Sequence, residues 1–230
     1  MKVCSIHQPN FFPWLGFFDK IKKSDIFVFM DNVERPHSHG SWVNQVMLNY
    51  NNNAKFFTAP ISRQKSREMN SLMIKDAYFD ENQNWRAKML KMLKINYSKS
   101  KNYLAIIDFI ELIIMNPESN IANYNINAIE QISKLLKINT TFIRQSEIIN
   151  VNNNLSATPL IVNIIKNINV KKYICGNGYA KQQDELFKEA NIELIYQNFI
   201  PKPYGNPEKF IPGLSIIDYM MNESITELII

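Results

Sequence analysis

The chain has 230 residues, of which 46% are hydrophobic, and it carries a formal charge of +5. That length and apolar content fit one packed domain and exclude a disordered chain. The positive charge is mild and its lysines are dispersed, with neither a basic recognition helix nor a zinc motif, which argues against specific nucleic-acid binding and suits phosphate-bearing small molecules.

Residues 2–6 form a short apolar run of the kind buried on both faces of a parallel sheet. Leu15, Phe18 and Ile21 then recur at helical spacing within residues 14–23. Residues 25–30, DIFVFM, are the clearest strand, and they end on Asp31. Together these make a strand–helix–strand unit. A polar loop covers residues 32–40. Residues 41–48 and 55–61 predict a β-hairpin joined by an asparagine turn, and residues 80–97, 103–115 and 124–136 predict three helices. Residues 140–143 predict a short strand. Thr158-Pro159 predicts a helix start, with threonine as cap and proline at the first helical position, running to about Asn167. A strand over 172–175, a helix over 183–190 and a strand over 192–197 follow. A proline-rich loop over 201–212 leads to a final helix from near Ser215, which pairs with Asp218 as a capping box.

Strands alternate with helices at both ends of the chain. That pattern predicts an α/β fold: a Rossmann-like, mostly parallel sheet flanked by helices, with a β-hairpin and an α-helical insert. A single domain is expected over 1–230, with the insert at roughly 80–138. The most apolar segment, 104–115, is too short for a bilayer and is broken by Asp108 and Glu111. The first residues lack the apolar core of a signal peptide. A cytoplasmic protein without a membrane span is therefore expected, and Cys4 and Cys175 are expected as buried thiols.

Open parallel sheets bind ligands beyond the carboxyl ends of their strands. The first strand ends at His7, so HQPNFFPWLG lies where a ligand belongs. The helix after it offers free N–H groups and a positive dipole end, suited to phosphate, and Gly16 permits close backbone approach. Phe11, Phe12, Phe17 and Phe18 read as core. His7, Gln8 and Asn10 are polar groups among aromatics that need partners, and they read as ligand contacts. The layout is analogous to the histidine loop of adenylate-forming nucleotidyltransferases, with different spacing. Asp31 ends the second strand at the same edge. His37 and His39, with Glu34, lack the frame of a metal site and read as a solvated loop, so no metal is expected. Trp42 and Asn44 read as an indole platform with an adjacent amide. Gly176, Asn177 and Tyr179 follow a strand and precede a helix, where either a nucleotide loop or a tight turn with positive φ fits.

Taken together, His7-Gln8-Pro9-Asn10 and Pro13-Trp14-Leu15-Gly16-Phe17-Phe18-Asp19-Lys20-Ile21 resemble the opening signature of the WbqC-like protein family. Asp31, Trp42-x-Asn44, Thr58-x-Pro60-Ile61, Tyr173-x-x-Gly176 and Leu214-Ser215-Ile216-Ile217-Asp218 extend the resemblance along the chain. Where the family pattern has a basic residue after Trp-x-Asn, this chain has Gln45. The resemblance implies a setting in bacterial surface-polysaccharide, above all O-antigen, gene clusters. Its expected chemistry is an acyl or aminoacyl transfer onto an amino sugar of a nucleotide-activated sugar. His7 is then general base or phosphate ligand, Asp31 orients or deprotonates the attacking amine, and Trp14 and Trp42 stack on base or sugar. Two other readings stand beside it: an ATP-dependent nucleotidyltransferase or adenylating enzyme, and a non-catalytic module binding sugar nucleotides. No cofactor is indicated, and oligomer formation is left open.

Overall fold

The computed structural model describes residues 2–35, 41–176 and 184–223. Five strands form one parallel sheet: β1 (Val3–His7), β2 (Ile26–Phe29), β5 (Thr141–Arg144), β6 (Lys172–Cys175) and β7 (Glu193–Tyr196). Their order across the sheet is β5-β2-β1-β6-β7. The chain therefore builds outward from β1 to one side, then crosses over and builds to the other. The switch point falls between β1 and β6, whose register pairs Ser5 with Ile174. A crevice opens there at the carboxyl edge because the two connections leave toward opposite faces.

The pleat divides the core accordingly. Phe27 and Phe29 of β2 face a cluster containing α1 (Leu15–Lys22), α5 (Ile121–Leu135) and α8 (Ile216–Asn222). Val28, with Cys4 and Ile6 of β1, faces the cluster of α6 (Ala157–Asn167) and α7 (Asp184–Glu189). The α/β architecture is the one expected from the alternating pattern. Both cysteines are buried free thiols. No helix among the described residues is long and apolar enough to cross a membrane.

The hairpin is a separate two-stranded sheet of β3 (Gln45–Tyr50) and β4 (Asn53–Thr58). Its loop is Asn51-Asn52, with φ of 50° and 61°. Two left-handed residues in a two-residue loop are what a type I′ turn demands, and asparagine tolerates them. Strand β3 begins at Gln45, so Trp42 and Asn44, expected within the strand, precede it in a turn. Helices α3 (Trp85–Tyr97), α4 (Tyr103–Ile114) and α5 lie between the hairpin and β5. Helix α2 (Arg63–Met69) was not signalled by the sequence. It buries no residue, so it carries no apolar period.

All four phenylalanines of the opening stretch are buried. Phe11 sits edge-on to Trp85 at 5.7 Å and to Phe79 at 5.8 Å, and Tyr124 packs beside it at 6.0 Å. Each such pair adds about 0.5–1.5 kcal/mol beyond its area. This aromatic block anchors one end of the loop that reaches from β1 to α1.

A candidate ligand site at the switch point

Three clasps shape that loop. Asn125 of α5, fully buried, donates from Nδ2 to the carbonyls of Pro9 (2.8 Å) and Val43 (2.7 Å). The Phe11 N–H donates to the Trp42 carbonyl at 2.7 Å. Ser215 Oγ donates to the Phe12 carbonyl at 2.8 Å, and the Ile216 N–H to the Pro13 carbonyl at 2.9 Å. The segment 7–14 is thus pinned between α5, the Trp42 turn and the start of α8. Ser215 also caps α8, accepting from the Ile217 N–H.

Two cavities adjoin this loop. The first, of about 430 Å³, opens at the switch point. His7 from β1 and Gln8 after it, Trp14, Gly16 and Lys20 around α1, and Gly176 after β6 are among its walls. The second, of about 390 Å³, lies toward the hairpin and includes Asn10, Trp42, Met47 and Ser215. His7 and Trp14 line both. Both volumes are those of small-molecule sites.

Lys20 is the feature of the first cavity that the sequence reading did not single out. It is 5% exposed, although it is a lysine on a helix. Its Nζ donates to the Ile6 carbonyl at 3.4 Å, and no carboxylate among the described residues is in ion-pair reach of it. Nearby Asp19 is engaged elsewhere, by Lys23 at 2.9 Å and by Gln197 Nε2 at 2.7 Å. Burial pulls the Lys20 ammonium down from 10.5 to about 8, partly countered by Cys175. A buried cation without a counter-ion, at the wall of an open cavity, is an incomplete ion pair.

His7 stands beside it. The ring is partly buried and sits edge-on to Phe17 at 5.0 Å. Nδ1 is 3.1 Å from the Gln8 carbonyl, which can only accept, so Nδ1 carries the hydrogen and Nε2 keeps its lone pair. Burial first, then the Lys20 charge, pushes the ring down to about 3, so it is neutral at ordinary pH. Cys175 also lines the cavity, but burial raises its thiol to about 11, which leaves it protonated and a poor nucleophile.

Two helices begin at this cavity without a side-chain cap. Trp14 holds the N-cap position of α1, and Ser156 that of α6. Thr158, expected as the cap of α6, is instead its second residue and contributes to the cavity wall. Uncapped N-termini leave donors and positive partial charge for an anion. Gly16 serves a different end from the one expected. A Cβ there would stand 2.4 Å from the Trp14 indole and 2.8 Å from Phe199, so the glycine makes room for the indole. Gly176 has nothing within 4 Å of a would-be Cβ, and its φ is not positive, so neither a tight turn nor close packing demands it.

Backbone strain points to the same place. Among the described residues, eleven other than glycine have positive φ, and eight of these are asparagine. Lys137 directly follows the C-cap of α5, an ordinary place for that conformation. The other two are Phe12 (φ 43°), in the wall of the second cavity, and Ala157 (φ 49°), next to Thr158 of the first. Such residues cost about 1–3 kcal/mol each and cluster at functional sites.

Other expected site residues fall elsewhere. Asp31 lines neither cavity. It is 1% exposed, and its carboxylate accepts from the Ser146 N–H at 3.0 Å and Ser146 Oγ at 2.6 Å. It ties the end of β2 to the turn after β5. Asp31→Ala should lower stability by about 2–4 kcal/mol, through two orphaned donors in a buried clamp. Urea unfolding reads that loss, while UDP affinity should stay within threefold of wild type. Asn44 is also structural, donating to the Ala59 carbonyl at 2.8 Å. Asn177, Tyr179, His37 and His39 lie outside the described residues. Among the described residues no three His, Cys, Asp or Glu side chains gather as a metal site.

Comparison with known proteins places a family and a relative beside this chain. The sequence pattern of the WbqC-like protein family matches residues 8–230. The uncharacterized protein Rv1507c of Mycobacterium tuberculosis is 24% identical over 234 aligned residues, covering 96% of this chain and 94% of that protein. No solved structure gives a significant match.

Proposed function

This chain belongs to the WbqC-like protein family, and from that premise we propose that it is an enzyme acting on a nucleotide-activated sugar, by acyl or aminoacyl transfer onto an amino sugar in bacterial surface-polysaccharide (O-antigen) biosynthesis. The observation that carries the phosphate end of this reading is Lys20, a buried cation at the switch-point cavity with no carboxylate partner among the described residues. A phosphate completes that ion pair and faces the uncapped starts of α1 and α6. The neutral His7 ring, with Nε2 free to accept, takes the proton that a substrate amine sheds on attack. The polysaccharide setting and the transfer chemistry rest on the family resemblance alone.

Calorimetry with UDP, dTDP, UDP-linked amino sugars and ATP with magnesium tests the reading. Binding of the sugar nucleotides with no magnesium requirement supports it. Magnesium-dependent ATP binding, with none of the sugar nucleotides bound, overturns it in favour of adenylation.

A further inference from the structure

We infer that the second cavity receives the neutral sugar ring of the ligand whose phosphate lies at Lys20, so that His7 and Trp14 stand at the join between phosphate and ring. This rests on the phosphate reading of the first cavity. The second cavity shares its wall of His7 and Trp14 with the first but differs from it in chemistry. Among the described residues no aspartate, glutamate, lysine or arginine lines it. A phosphate would find no counter-charge there, whereas a neutral group meets no desolvated charge.

One residue in its wall carries an enclosed polar atom without a partner. Asn10 is 8% exposed, and its Oδ1 accepts no hydrogen bond. A buried amide oxygen left unsatisfied calls for a donor, and a ligand O–H or N–H supplies one. The neighbouring hydroxyl of Ser215 is already used, donating to Phe12 and accepting from Ile217. The rest of the wall is largely apolar, with Phe11, Phe12, Trp14 and Trp42 beside Pro13, Val46 and Met47. Trp42 is 47% exposed and Trp14 37%, and Phe56 meets the Trp42 indole edge-on at 5.7 Å. A pyranose has an apolar C–H face that packs on indole and a rim of O–H or N–H donors. A plain aromatic ring would satisfy the indoles and leave Asn10 unpaired.

The three tryptophans make the test direct, because each reports a different place. Trp42 lines only the second cavity, Trp14 lines both, and Trp85 is core. The ¹⁵N–¹H indole signals of the labelled protein are followed with three probes: UDP, UDP-N-acetylglucosamine and methyl N-acetylglucosaminide. UDP should move Trp14 and spare Trp42. UDP-N-acetylglucosamine should move both, and the methyl glycoside should move Trp42; Trp85 should stay fixed throughout. By calorimetry, wild type should bind the sugar nucleotide about tenfold tighter than UDP. Asn10→Ala and Trp42→Ala should remove that preference while leaving UDP affinity unchanged. Trp42 unmoved by both sugar probes, or variants that weaken UDP and the sugar nucleotide alike, overturns the inference. If UDP leaves Trp14 unmoved, the phosphate reading fails separately. The methyl glycoside then decides the second cavity alone, through a Trp42 shift present in wild type and absent in Asn10→Ala.

Discussion

Lys20→Met is expected to weaken UDP binding about 100-fold and, in the free protein, to raise the melting temperature by about 6–12 °C at pH 7. Both effects come from one atom. The ammonium is buried at the cavity wall with a single backbone acceptor at 3.4 Å. Its depression from 10.5 to about 8 corresponds to about 3 kcal/mol of unfavourable burial. Methionine fills similar volume without the charge, so the free fold gains while the ligand loses its counter-ion. The pH dependence fixes the sign. Between about 8 and 10.5 the unfolded chain still holds the proton that the folded chain has released. Wild-type stability therefore rises with pH across that window, and the advantage of Lys20→Met fades there. UDP affinity runs the other way and falls as pH rises through about 8, because only the charged form pairs with phosphate. Calorimetry and thermal melts of the two proteins at pH 7 and 9.5 read all of this. A variant that binds UDP within threefold of wild type removes Lys20 from the site.

Much of the fold was readable because burial writes periodicity. The run DIFVFM alternates Phe27 and Phe29 toward one core and Val28 toward the other, and a sheet follows from it. The asparagine pair at 51–52 reads as a turn for a local reason, its tolerance of positive φ. Lys20 had no local signal. Helix α1 carries Leu15, Phe17, Phe18 and Ile21 on one side, which leaves Asp19 and Lys20 on the side that reads as solvent-facing, yet every residue from Leu15 to Ile21 is buried. Asp31 and Asn125 had no local signal either. Ser146 lies 115 residues from Asp31, and Asn125 reaches Pro9 across 116. Nothing local separates a carboxylate clamped by a distant serine from one poised in a site. Thr158 shows the same limit at short range. Threonine before proline suits a cap, but Ala157 in a left-handed turn shifts the helix start by two residues.

His7→Gln is expected to lower kcat for transfer onto a UDP-linked amino sugar by about 100-fold or more, with UDP affinity within threefold of wild type. In the free protein the ring is a weak base, pushed down to about 3 by burial and then by the Lys20 charge. Burial remains when ligand enters, but the second cause does not. A phosphate paired with Lys20 cancels the cation and adds negative charge beside the ring, so the imidazole becomes more basic in the complex. The base is thus strengthened by the binding of its own substrate. Among the three histidines, the ring signal missing from His7→Gln identifies His7. That signal should show no titration between pH 5 and 8 in the free protein, and its midpoint should rise by one pH unit or more with UDP. Stability carries the matching sign: the folded ring releases its proton more readily than the unfolded one, so wild type loses stability as pH falls from 6.5 toward 3. His7→Gln lacks that loss. A ring titrating near 6.5 in the free protein, or turnover within threefold of wild type in His7→Gln, shows that the proton leaves the substrate by another route.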